Sequence, residues 1–187
     1  MGWFSSACSA VSSAFSSVCS AVSSACSSVL SGITNVVNNS SGSLITALAL
    51  SLPISGALLK AVTAIDVICK VLGMLEPKET TEDIGDRAIQ AQEAGIRPEN
   101  YGTYKEYLSA IKNFEIDPKK SDEINQLDKL VAGVGVHYWG FEEKFGLGTG
   151  DLISKTIESP DYFTGERLEA YLDAVENISD VVEFFVG

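Results

Sequence analysis

Few side chains in this 187-residue chain are of types that do covalent or metal chemistry, and their spacing limits what they could do. His137 is the single histidine, set in Val136-His137-Tyr138-Trp139. A general base needs an oriented partner within hydrogen-bond reach. The local sequence offers none, so a satisfied structural histidine is expected. Cys8, Cys19, Cys26 and Cys69 all lie in the first 75 residues, where small apolar residues also lie. Pairing one of them with His137 as an activated nucleophile would join two unlike halves of the chain, so the thiols are read as small hydrophobes. No CxxC or HExxH occurs, which removes the usual zinc spacings. Asp122–Asp128 (DEINQLD) lacks the glycine and the alternation of a calcium loop. Gly146-Leu147-Gly148-Thr149-Gly150 could cradle a phosphate, yet it has neither the P-loop lysine nor a preceding strand, and a connector is expected. No catalytic residue, metal or cofactor is anticipated, and the chain is read as a non-enzyme. One modification pattern is present: Met1-Gly2 with Ser6 fits N-myristoylation, with Cys8 placed for a second acyl chain. Two chains would anchor stably where one would not.

Charge divides the chain in two. No charged side chain occurs from Met1 to Leu59, and only Lys60, Asp66 and Lys70 follow before Glu76. Residues 76–187 then hold 11 bases against 24 acids, within a whole-chain net charge of -12. This balance excludes nucleic acid as a partner, since neutralising phosphates needs clustered Lys and Arg. It also disfavours anionic headgroups. The expected organisation is an apolar, nearly uncharged helical hairpin over 1–75, engaging a membrane or a partner, followed by an acidic soluble helical domain over 76–187. The N-terminus has no basic residues, and serines interrupt its apolar positions, so no cleaved signal is expected. Synthesis in the cytoplasm and export by a signal-independent route follow from that reading.

The elements that must present this surface are helices. Residues 4–14 (FSSACSAVSSA), 15–25 (FSSVCSAVSSA) and 26–36 (CSSVLSGITNV) form an eleven-residue repeat whose apolar pairs recur in steps of three and four. The spacing predicts one helix over about 4–37 with an apolar stripe and a serine face, breaking, if anywhere, near Gly32. Such a helix would run roughly 50 Å against a hydrocarbon core of about 30 Å, so lying in the interface or tilting is favoured over a simple span. Thirteen serines between Ser5 and Ser31 cost on the order of 5 kcal/mol in helix propensity. The segment should therefore order only when its stripe is docked. Leu44–Leu75 predicts a second helical run that Pro53 kinks or whose longer part it starts, with Asp66 and Lys70 able to pair four residues apart. Membrane- or partner-engaging residues are expected to be Trp3, Phe4, Val11, Phe15, Val18, Val22, Val29 and Leu30 on the repeat. On the second run they are Leu44, Leu48, Leu52, Leu58 and Leu59. In the acidic half, start and stop signals predict helices from Thr80 to Gly95, Thr103 to Phe114, Ser121 to Phe145, Asp151 to Glu158 and Gly165 to about Phe185. No strand pattern occurs, and the fold class is all-α.

In composition the repeat resembles amphipathic lipid-packing sensors, and the paired apolar runs resemble in layout the helical hairpin of pore-forming colicins. The organisation of the whole chain resembles small membrane-active bacterial effectors carried by type VI or related contractile secretion systems. That resemblance implies a membrane-inserting or pore-forming toxin that homo-oligomerises in the lipid. It further implies a tail-tube or spike carrier or chaperone, and a cognate immunity protein. The alternative expectation is a non-enzymatic component of an injection-type assembly whose repeat helix packs on a protein partner.

Overall fold

A computed structural model describes residues 2–37, 41–146, 151–161, 166–167, 169–170 and 173, with the backbone alone for residues 2–10 and 55. The described residues form nine helices and no strand, so the chain is all-α. In order they are α1 (Gly2–Ala21), α2 (Ser24–Val37), α3 (Gly42–Ser51), α4 (Ser55–Val71), α5 (Thr81–Glu93), α6 (Tyr104–Asn113), α7 (Pro118–Glu123), α8 (Gln126–Phe145) and α9 (Asp151–Glu158). Most of the helix expected from Gly165 to Phe185 lies outside the described residues, as does the centre of the Gly146–Gly150 connector.

Several boundaries follow directly from local chemistry. Thr80 and Asp83 form a reciprocal capping box at the start of α5, with the Thr80 hydroxyl accepting from Asp83 N at 3.2 Å. The Asp83 carboxylate in turn accepts from Thr80 N at 2.9 Å. Thr103 caps α6 by accepting from Glu106 N at 3.2 Å. Pro53 separates α3 from α4, as its fixed φ and missing N–H require.

Three expectations are corrected. The repeat is not one helix, and it breaks at Val22-Ser23, not near Gly32. Ser23 turns its N–H onto the Asp128 carboxylate, at 3.3 and 3.2 Å, and its hydroxyl accepts from Cys26 N at 3.3 Å. Gly32 continues α2 because it makes room for a neighbour: a Cβ there would lie 2.8 Å from the Glu99 carboxyl. The helix expected from Ser121 is two, since Asn125 accepts from Leu127 N at 2.9 Å and starts α8 afresh. Asp66 does not pair with Lys70; it accepts from Thr81 N at 2.7 Å and Thr81 Oγ1 at 2.5 Å, tying α4 to the first turn of α5.

A single hydrophobic cluster runs across the charge boundary. It joins Leu30 and Ile33 of α2, Leu44 and Leu48 of α3, and Ile65 of α4 to Ile84 and Ile89 of α5 and Val131, Val134 and Tyr138 of α8. Every residue from Leu130 to Glu142 on α8 is buried, and helices α2 to α6 all pack against it or against its neighbour α5. The closest approach is α5 to α8. A Cβ on Gly85 would lie 1.7 Å from the Lys129 carbonyl oxygen, and one on Gly133 would lie 2.0 Å from that of Thr81. Only glycine admits this contact. Gly85→Ala or Gly133→Ala is expected to cost about 3 kcal/mol or more in urea unfolding, because backbone must move rather than a flexible side chain. Gly56, with nothing within 4 Å of its Cβ position, is the control. Its replacement by alanine should be neutral or stabilise by up to about 1 kcal/mol. Equal effects at all three positions would refute the tight crossing.

Candidate functional site

The residues expected to engage a membrane or partner fall into distinct environments. Val18, Val22, Val29, Leu30, Leu44, Leu48 and Leu58 are buried in the core. Phe15 and Leu52 are half-buried against it. Val11 and Leu59 are open to solvent, at 36% and 48% exposure. Trp3, Phe4, Gly2 and Cys8 belong to the α1 backbone, and their side chains lie outside the described residues. The apolar stripe of the repeat is thus covered from Val18 onward, mainly by α3 and α8.

What stays open is the elbow between α3 and α4. Leu50 is 67% and Ile54 63% exposed, and Pro53 and Gly56 beside them are also exposed. Leu50 and Ile54 escaped the sequence reading, although Pro53 between them reads as a break. Their signal was composition at a break: a turn facing water would carry Asn, Asp or Gly, and this one reads Leu-Ser-Leu-Pro-Ile. No charged side chain precedes Lys60.

Part of the serine face of the repeat satisfies itself, while the Ser27 hydroxyl is buried without a partner among the described residues. Ser16, Ser17 and Ser20 donate to the carbonyls of Ser12, Ser13 and Ser16 at 3.0, 3.0 and 2.8 Å, and Ser28 donates to Ser24 at 2.9 Å. Thr46 and Thr63 do the same on α3 and α4, each at 3.0 Å. A hydroxyl bonded four residues back along its own helix needs neither water nor a partner, which lowers the cost of moving that face into an apolar surround.

Polar groups elsewhere are committed to structure. Asp86 is buried and accepts from Gln90 at 2.9 Å and from Ser121, and it pairs with Lys129 at 3.3 Å. Lys129 also donates to Ser121 at 3.2 Å. Serine beside lysine is a known nucleophile pairing. Here the Ser121 proton points at a carboxylate and the lysine is ion-paired, so the trio joins α7 to α5 and α8. A cleft of about 590 Å³ lies where the repeat breaks, lined by Ser23, Glu93, Lys120, Glu123 and Asp128. Glu93 and Lys120 pair across it at 3.0 Å. Among the described residues no group of three His, Cys, Asp or Glu side chains could hold a metal ion. Cys26 donates to the Asp128 carbonyl at 3.3 Å, and burial pushes its thiol well above the ordinary range. Burial, then Asp66, does the same to Cys69. Neither thiol is a nucleophile at neutral pH.

His137 departs from expectation. It is fully buried, yet neither ring nitrogen has a hydrogen-bond partner among the described residues. Burial, helped by Lys112 and opposed by Glu79, lowers its pKa to about 3. It is a neutral imidazole lodged in the core.

No family model, curated protein or solved structure matches the chain. No helix among the described residues is long and apolar enough to cross a membrane. The junction of the two halves gives a direct test. Asp128→Ala removes the acceptor for Ser23 N and should cost about 1–3 kcal/mol, with amide protection falling first at the start of α2. Asp128→Asn keeps an acceptor oxygen and should recover most of that loss. Unchanged exchange at residues 23–27 in the alanine variant would remove Asp128 as the clamp.

Proposed function

We propose that this chain is a membrane-engaging effector or toxin that makes first contact through the α3–α4 elbow and acts without enzymatic chemistry. The observation that carries the reading is the exposed, charge-free elbow formed by Leu50, Pro53 and Ile54. Burying Leu50 and Ile54 in a lipid interface would contribute roughly 1.5–3 kcal/mol each, enough for reversible attachment. The self-satisfied serine face of α1 supports the same reading, since that helix can follow the elbow into an apolar surround at low cost. A net charge of -12 favours zwitterionic over anionic lipid. Deeper insertion requires α1–α4 to leave the core, and homo-oligomers would form at that stage. A secretion tube, spike or chaperone would cover the elbow in transit, and an immunity protein would oppose the inserted form.

A second reading, an interaction protein of an injection-type assembly, is favoured by one observation: the apolar side of α2 already docks on protein, at α8. Vesicles separate the two. Flotation with phosphatidylcholine vesicles should capture the full chain, and Leu50→Asp with Ile54→Asp should weaken capture at least tenfold, about 1.4 kcal/mol. Dye release from the same vesicles reports insertion. A folded chain that binds no lipid composition sinks the membrane reading. Capture that ignores the double variant moves the contact away from the elbow.

A further inference from the structure

Gly133, His137 and Gly140 stand at steps of four and three, on one face of α8. Gly133 faces Thr81 of α5, and Gly140 faces Met74 of the α4–α5 connection and Tyr104 of α6. His137 therefore lies inside the packing of α8 against α5 and α6. On the other side of α8, Gly135 faces Leu30 and Ile33 of α2. Helix α2 rests on α5 as well as α8, so any parting of these two splits the floor beneath it.

The groups around this site offer no free carboxylate for a charged imidazole. Glu79, on the α4–α5 connection, is already bonded to Lys112 of α6 at 2.7 Å. Asp66 of α4 is held by Thr81. The hydroxyls of Tyr104 and Tyr107 on α6 are buried without partners, and Glu143, which acts on Tyr104, accepts from Tyr104 N at 2.7 Å. Arg87 of α5 and the buried thiol of Cys69 complete the titratable groups around Glu79 and Tyr104. Helix α2 brings no charge at all.

We infer that α8 carries an acid-operated release: protonation of His137 parts α8 from α5 and α6 and frees the charge-free helices. The inference takes its purpose from the membrane reading, but its mechanism stands without lipid. The sign follows from the direction of the shift. His137 is neutral in the closed form and takes up a proton once opened to water. The closed form is therefore at full strength above the ordinary value of 6.5 and loses about tenfold in population ratio per pH unit below it, down to about 3. Burial works against the Glu79 carboxylate, but its bonds to Lys112 and the Glu76 backbone hold it below its ordinary value of 4.5. Its contribution is present above that value and is lost only as pH falls further. Between 6.5 and 4.5, of these two shifted groups, His137 alone acts.

The test is hydrogen exchange of the α2 amides in the full chain without lipid, from pH 7.5 to 4.5, corrected for intrinsic exchange. Protection should fall about tenfold per unit below 6.5 in the wild type and stay level in His137→Phe and His137→Gln. Level protection in the wild type, or an equal fall in a folded variant, overturns the inference. Should both variants misfold, proton NMR of the wild-type ring decides. Titration near 6.5 with α2 still protected overturns it, and titration that coincides with loss of protection upholds it. Vesicle flotation at pH 7.5 and 5 keeps the two proposals apart. Acid opening without lipid binding upholds the release and sinks the membrane reading, whereas lipid binding with level α2 protection does the reverse.

Discussion

Backbone meets backbone where α5 crosses α8, through Gly85 and Gly133, and most of the molecule is arranged around that contact. The approach leaves no space for a side chain, so the two helices share one long apolar seam. The buried face of α8 then receives α2, α4 and α6. Polar groups brace the crossing at both ends. Asp66 holds the first turn of α5 through Thr81, and the Asp86–Lys129 pair with Ser121 locks α7 beside it. Buried pairs of this kind contribute little net stability but are costly to break, so they define the register of the crossing more than they strengthen it.

Composition and packing divide the chain differently. Charge changes abruptly near residue 76, yet the core continues through that point. The nearly uncharged half cannot solubilise itself with serine alone, and its apolar stripe finds cover on the acidic half. The outer faces of α5 to α8 carry charge while their inner faces take up Val29, Leu30 and Ile33. The repeat stops being a repeat once folded. Its first copy belongs to α1, its third lies wholly within α2, and its second contains the break at Ser23.

Features governed by nearest neighbours were legible in the sequence. Thr80 with Asp83, Thr103, Pro53 and the three-and-four spacing of the repeat each determine local backbone, and each appears where expected. Features governed by distant partners were not. The break at Ser23 depends on Asp128, 105 residues away, and no reading of FSSVCSAVSSA could reveal it. Gly32 looked like a helix breaker because glycine usually is one; the reason for it is the carboxylate of Glu99. His137 reads as a satisfied structural histidine, but its lack of a hydrogen bond depends on distant residues that local sequence does not reveal. The elbow was missed for a different reason. Leu50 and Ile54 fit an apolar helix pattern, and only the geometry of the Pro53 turn points them outward.

The energetics of the covered repeat constrain any membrane role. Uncovering Val29, Leu30 and Ile33 forfeits roughly 1.5–3 kcal/mol each, on the order of 6 kcal/mol together. The exposed elbow recovers a similar amount at a lipid interface at best, from Leu50 and Ile54. These terms nearly cancel, so a bilayer alone gives no strong drive for α2 to leave α8. On the proposed membrane reading, attachment by the elbow and insertion of the hairpin would be separate steps, and the second would need something that weakens the core without weakening the lipid contact. A buried, unpartnered imidazole meets that requirement, because protons act on α8 and leave the uncharged elbow untouched.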